Sequence, residues 1–437
     1  MTIIYDFLFL ILAIGFLPYL VLRKKFHRGF GMRLGFFPAA IENLLREKAQ
    51  QPSIWIHAVS VGEVAAIAGL LGRIKKKFPD YRIVLTTVTT TGYSLAVSQL
   101  KEVDTVVFAP VDFSFVVQKY IRLIRPRIYI AAETEIWPNL FRALSKNAVP
   151  IVLVNGRISD QAFPWYFRGR FLFKKILEGV SMFCMQSQVD AKRIVKLGIP
   201  AQKVMVVGNL KFDDLPSVQE FQLKDFGFIG LCTTNDKKNE TIWIAGSTHP
   251  GEEEIVLKIF KSLTAQFGDL RLIIAPRHIE RTNEVANLIV KFGFQPMKLS
   301  ELSSKGSTEM DNQKVILVDT IGQLKSLYSL SRIVFVGKSL TVGGGQNIIE
   351  PAFFGNAVVV GPLMQNFREI VEVFLKDQAV LQVKDAKELE ERMKFLLDHP
   401  AQRDLLGQAA QKVIEKYRGA TDQSLTVIVQ VLTDKKI

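Results

Sequence analysis

Four hundred and thirty-seven residues exceed one ordinary hydrophobic core and suit two domains of about 200 residues each. With 48% apolar and 22% charged residues, the composition excludes a disordered chain. The net charge of +14 is uneven: residues 1–212 carry 29 basic and 13 acidic side chains, residues 213–437 carry 27 and 29, so the first half is expected to face an anionic partner.

Taken from the N-terminus, Phe7–Leu22 is a run of sixteen residues without a charge, followed by Arg23, Lys24, Lys25 and Arg28. As a helix it rises about 24 Å, short of the roughly 30 Å hydrocarbon core, and Thr2–Tyr5 brings it close to a full span. A cleaved signal peptide places its positive charges before the apolar run; here they follow it. The segment is expected to be a membrane anchor, spanning or inserted shallowly around Pro18, with the basic cluster and the body of the protein on the cytoplasmic side. The alternative is a buried N-terminal core helix. Cys184 and Cys232, without a CxxC pair, exclude a disulfide framework and a cysteine-based zinc site, and fit a reducing compartment.

Beyond the anchor, short apolar runs alternate with amphipathic stretches, the pattern of βα units around a parallel sheet. Strands are expected at Ser53–Val59, Arg82–Thr87, Thr105–Phe108, Arg127–Ala131, Ile151–Val154, Met182–Met185 and Val204–Val207. A second set is expected at Thr241–Gly246, Arg271–Ala275, Val315–Val318, Ile333–Val336, Ala357–Val360 and Ala379–Gln382. The polar stretch between them reads as a linker, and Pro400–Val431 as helices, the last able to pack back on the first domain. The domain division is therefore 1–28 anchor, 29–212 first domain, 213–240 linker and 241–437 second domain. Two doubly wound α/β domains facing a central cleft place their binding loops at the carboxyl ends of the strands.

Those loops carry the chemistry. His57-Ala58-Val59-Ser60-Val61-Gly62-Glu63 closes the first strand, and Glu63 there can act as a general base or complement the helix N-terminus. Ala132-Glu133-Thr134-Glu135-Ile136-Trp137-Pro138-Asn139 follows the fourth. Its carboxylates read as cleft residues or as capping acids before a helix; were the stretch helical, Glu133 and Trp137 would share a face. Asn155–Ser159 and Phe163–Arg170 mix arginines with aromatics, a composition open to nucleic acid; beside an anchor it reads as a lipid-interface surface with phosphate-binding arginines. Lys211, in Gly208–Phe212, can reach the cleft or remain solvated. In the second domain, His249 and His278 lack the spacing of a metal site. Gly343-Gly344-Gly345 follows a strand and precedes a helix, where exposed backbone N–H groups would form an anion site, and Glu350 could accept hydrogen bonds from ribose hydroxyls; the alternative is a plain glycine-rich loop.

Seven of these segments in order, HAVSVGE (57–63), ETEIWPN (133–139), NGRIS (155–159), GNLKF (208–212), APRH (275–278), DTIGQL (319–324) and GGGQNIIEP (343–351), resemble the 3-deoxy-D-manno-octulosonic acid (Kdo) transferases of lipopolysaccharide assembly over essentially the whole chain. The resemblance implies a GT-B fold and an inverting, metal-independent transfer, with no cofactor, from CMP-Kdo to the lipid A precursor (lipid IVA), one or more Kdo units being added. It implies Glu63 as general base, Glu133 and Lys211 in transition-state stabilisation, and Pro276, Arg277, Ile321, Gly322, Gln323, Asn347, Ile348, Ile349 and Glu350 as the CMP-Kdo site. It also implies an enzyme on the bacterial inner membrane, in contact with anionic lipids and not with nucleic acid. Gln323 and Gln346 stand where many members have glutamate and histidine. The competing readings are a GT-B enzyme with another nucleotide sugar, such as a UDP-linked donor, and a non-catalytic membrane-surface binding protein.

Overall fold

The computed structural model describes residues 5–11, 13–15, 29–47, 50–213, 215, 241–302 and 314–433. Within these, the chain forms two compact units, Met1–Asp214 with Tyr417–Ile437, and Leu215–Lys416. The expected linker lies outside the described residues except for Asp213 and Leu215.

The first unit is built on a seven-stranded parallel sheet: β1 Ser53–His57, β2 Arg82–Thr87, β3 Thr105–Phe108, β4 Pro126–Ala132, β5 Ile151–Gly156, β6 Met182–Met185 and β7 Val204–Val206, in the order β3-β2-β1-β4-β5-β6-β7. The central strands are buried on both faces, as a parallel sheet covered by helices requires. The order reverses between β1 and β4, whose register pairs His57 with Ala131. Both strands therefore deliver their following loops, Ala58–Glu63 and Glu133–Trp137, to the topological switch point. One face of the sheet packs around Trp55, Tyr120, Tyr129 and Phe141. The other is closed partly by the C-terminal helix Ala420–Thr433, whose Ala420, Val427, Ile428 and Val431 join Ile54, Ile56 and Ile130. The Asp213 carboxylate accepts from the Gly419 and Thr421 amides at 2.6 Å each and pins the start of that helix.

The second unit carries β8 Thr241–Thr248, β9 Leu270–Pro276, β10 Pro296–Lys298, β11 Val315–Leu317, β12 Ile333–Val336, β13 Ala357–Val360 and β14 Leu381–Gln382, in the parallel order β10-β11-β9-β8-β12-β13-β14. Strand β10 is absent from the sequence reading because it has three residues and begins with proline. Such a segment is tolerated at an edge, which is where it lies. β8 runs two residues beyond its expected end, with a register shift between Gly246 and Thr248.

The described part of the expected anchor is helical at residues 5–11 and 13–15; residues 1–4, 12 and 16–28 lie outside the described residues. Among the described residues no helix is long and apolar enough to cross a membrane. Asp6 is tied to the first unit: its carboxylate accepts from the Ser114 amide (3.1 Å) and hydroxyl (2.5 Å) and from Asn139 Nδ2 (2.6 Å). Phe9 meets Phe113 edge to face, while Phe7, Leu8, Leu10, Ile11 and Ile14 are exposed.

Candidate active site

In the first unit, β1 ends on His57, buried and held through Nδ1 to Thr86 Oγ1 at 3.0 Å; burial lowers its pKa to about 4, so the ring is neutral. Ser60 then opens the short helix Val61–Ala66, with Glu63 in its first turn and 8% exposed. The Glu63 carboxylate folds back on the turn, Oε2 accepting from the Val59 amide at 2.7 Å and Oε1 from the Ser60 hydroxyl at 3.0 Å. This is a variant of the capping box, in which the acid reaches back past the N-cap residue. The same carboxyl is driven up to about 7, first by burial, then by Glu133 and Glu135, against the lowering hydrogen bonds of Val59 and Ser60. The capping and acid–base readings of Glu63 thus describe one geometry.

Glu133 follows β4 directly with φ +58°, and its amide donates to Val154 O at 2.9 Å. A non-glycine residue in this left-handed region is uncommon and costs about 1 kcal/mol or more. Residues 133–137 are not helical, so Glu133 and Trp137 do not share a helix face. Nor do these acids cap the helix that follows, Pro138–Lys146. That cap comes from Asp112, whose carboxylate accepts from the Asn139 and Leu140 amides at 3.0 and 2.9 Å. Burial raises the Glu135 carboxyl, and Glu133 raises it further. Three carboxylates thus interact at the ends of two neighbouring strands.

The NGRIS and GNLKF segments are joined through Asn155. Its φ is +55°, its Oδ1 accepts from the Leu210 amide at 3.1 Å, and its carbonyl accepts from Gln186 Nε2 at 2.9 Å. Asn209 donates to Gln186 Oε1 and accepts from the Lys211 amide, each at 3.0 Å. The turn that presents half-buried Lys211 is therefore set by an amide network that crosses β5, β6 and the end of the first unit.

In the second unit, Pro276 ends β9, and Arg277 and His278 are exposed just beyond it. Ile321 is 85% exposed and Gly322 has φ +87°, so the turn projects outward. The Gln323 amide oxygen accepts from the Thr320 hydroxyl within that turn. Ile348 and Ile349 are fully buried, leaving only their backbone for a ligand. Asn347 Oδ1 accepts from the Ile349 amide at 3.0 Å, and Asn347 Nδ2 lies 3.4 Å from Glu350 Oε1.

The glycine run departs from its expected role. The Gly344 amide donates to Leu363 O (3.0 Å) and Gln365 Oε1 (2.9 Å), and the Gly345 amide donates to Lys338 O (2.7 Å). Two of the three N–H groups are thus taken up within the fold, and the helix that follows, Ile349–Phe353, is short. The glycines are there for room: a Cβ on Gly345 would lie 2.5 Å from Met364 Sδ. A cradle of backbone amides does exist nearby, and a carboxylate of the chain fills it. Fully buried Glu252 accepts from the amides of His249, Lys338, Ser339 and Leu340 at 2.8–3.0 Å.

A model of the family described as 3-Deoxy-D-manno-octulosonic-acid transferase (kdotransferase) matches residues 28–214. A 3-deoxy-D-manno-octulosonic acid transferase of Haemophilus influenzae is 35% identical over 376 residues, 86% of each chain. The chain belongs to the Kdo transferase family. A further Kdo transferase, of Rickettsia felis, is 30% identical over 87% of this chain and 79% of its own. Among solved structures, a glycosyltransferase from Rickettsia africae matches with TM-score 0.55 and 12% identity, over 88% of this chain and 100% of the other. A UDP-GlcNAc 2-epimerase from Neisseria meningitidis matches with TM-score 0.56 and 14% identity, over 87% and 99%. At such identities the likeness is one of fold, a GT-B-like arrangement with two parallel-sheet α/β domains. In this Kdo transferase family member the loops are held by Asn155, which lies in the NGRIS segment, and by Asp112, Gln186 and Glu252, which no sequence motif marks. Glu252 looks in sequence like any first-turn acid, and only its neighbours in space distinguish it.

Proposed function

We propose that the protein transfers Kdo from CMP-Kdo to the lipid A precursor, an acylated, phosphorylated glucosamine disaccharide, with inversion at the anomeric carbon. Membership of the Kdo transferase family carries this reading, and the Glu63 carboxyl at about 7 supports it. A base with that pKa is half ionised near neutrality, where general-base catalysis is most effective. Glu63 takes the proton of the acceptor hydroxyl as its oxygen bonds to the anomeric carbon; the bond from that carbon to the phosphate oxygen breaks, and CMP leaves with the electron pair. Glu133 and Lys211 supply charge of either sign to the transition state. Pro276, Arg277, the Ile321–Gln323 turn and Asn347–Glu350 hold the donor, Ile348 and Ile349 through their backbone. The step needs no metal, so activity should persist in a chelator.

The anchor belongs to the same reading: residues 1–28 insert into the inner membrane with the body on the cytoplasmic side. The docking of Asp6 and Phe9 on the first unit favours shallow insertion over a span. The surface of Phe163–Arg168 and Arg170–Leu177 extends it. Trp165 and Phe171 are 70% and 72% exposed, with Arg168 over the Trp165 ring and Arg170 over Phe167 and Phe171. Aromatic rings beside arginines suit the headgroup layer of anionic lipids. Incubation with CMP-Kdo and lipid IVA, followed by mass spectrometry, tests the activity and counts the sugars added. A product without Kdo, or protection from heat by UDP and not by CMP, would overturn the reading.

A further inference from the structure

Lys338 follows β12 with φ +57°, a conformation disfavoured for a lysine and natural for glycine. Three contacts hold it there. Buried Glu252 takes its amide at 2.8 Å, and its carbonyl accepts from the Gly345 amide at 2.7 Å. Its side chain lies along Gly344, where a Cβ would stand 3.2 Å from Cε and 3.5 Å from Nζ. Among the described residues its ammonium makes no ion pair. It is close enough to His249 to act on it electrostatically, and the His249 and His278 rings are 5.6 Å apart. These three basic side chains stand at the carboxyl ends of β12, β8 and β9, which are neighbours in the sheet. Strained backbone over-determined by its surroundings clusters at ligand sites, and the carboxyl ends of parallel strands are where ligands bind.

We propose that Lys338 is a donor-binding residue whose ammonium pairs with an acidic group of the nucleotide sugar, either its phosphate or its sugar carboxylate. The proposal rests on the CMP-Kdo reading above. The side chain is half-buried, and its lie along Gly344 limits its freedom, so little ordering remains when the anion arrives. The glycine run then has a second use: any side chain at 344 would push the lysine away.

Calorimetric titration of the full chain in detergent with CMP-Kdo, CMP and cytidine tests this on wild type, Lys338→Met and Lys338→Gly. Both variants should weaken an anionic ligand about tenfold or more and leave cytidine, which carries no anion, unchanged. Weakening of CMP and CMP-Kdo together supports the phosphate as partner; weakening of CMP-Kdo alone supports the carboxylate. Unchanged affinity for both overturns the proposal. Lys338→Gly also relieves the positive φ, so its Tm should be no lower than that of wild type. A lower Tm with weaker cytidine binding would make Lys338 a structural residue and overturn the assignment. A wild-type chain that binds neither CMP nor CMP-Kdo overturns the donor reading itself, and the proposal with it.

Discussion

At Glu63, desolvation pushes the carboxyl toward neutrality while the Val59 amide and the Ser60 hydroxyl favour the charged form. With Glu63 as the proposed base, Glu63→Gln keeps the shape of the turn and removes the ionisable group, so initial rates should fall about 100-fold or more with CMP affinity unchanged. In wild type, kcat/KM should rise with pH through about 7 as the carboxyl ionises. Ser60→Ala removes a bond that stabilises the carboxylate, so this acidic limb should move to higher pH; a pH–rate profile that stays in place would show that Ser60 does not tune the base. Stability has the opposite trend. The unfolded chain loses this proton near 4.5 and the folded chain near 7, so between those values the folded state holds the extra proton. Its stability therefore falls as pH rises through that window.

Elements decide where such residues stand. The strand runs and the loop motifs could be read from contiguous residues, because burial on both faces demands unbroken apolar stretches. The site residues sit at strand ends for the same reason. What could not be read was the support of each loop, since Asp112, Asn155 and Glu252 act on residues 27, 55 and about 87 positions away. Glu252→Gln replaces an acceptor-only group by one with its own N–H donors facing four backbone N–H groups. It should lower stability by about 3 kcal/mol, read by urea unfolding. Retained stability would mean that the loop after β12 finds other acceptors.

Across the whole molecule, the C-terminal helix belongs to the first unit although residues 215–416 intervene. Deleting 420–437 strips apolar cover from β5, β6 and the helix Ala68–Lys77 and should cause the first unit to melt early or aggregate, while the CMP binding proposed for the second unit persists. Positive charge in the first half is not gathered on one surface. Arg46, Lys119, Arg122, Arg125 and Arg127 line a cavity of about 770 Å³ at the amino end of β4, the pole opposite Glu133. The Trp165–Arg170 surface lies nearer the carboxyl pole, soon after β5. If that surface meets lipid, Trp165→Ser with Phe171→Ser should weaken flotation with phosphatidylglycerol vesicles and leave Tm unchanged. Unaltered flotation would place membrane contact in residues 1–28 alone.

The motif order, the two sets of strands and the family were legible in the linear chain, because each depends on residues close together in sequence. Tertiary structure alone decided that the Glu63 carboxyl is raised, that two of the glycine amides are occupied, and that Lys338 is held in a left-handed conformation. Burial, the approach of like charges and backbone conformation arise from the pairing of strand ends distant in the chain, and no local pattern of residues records them.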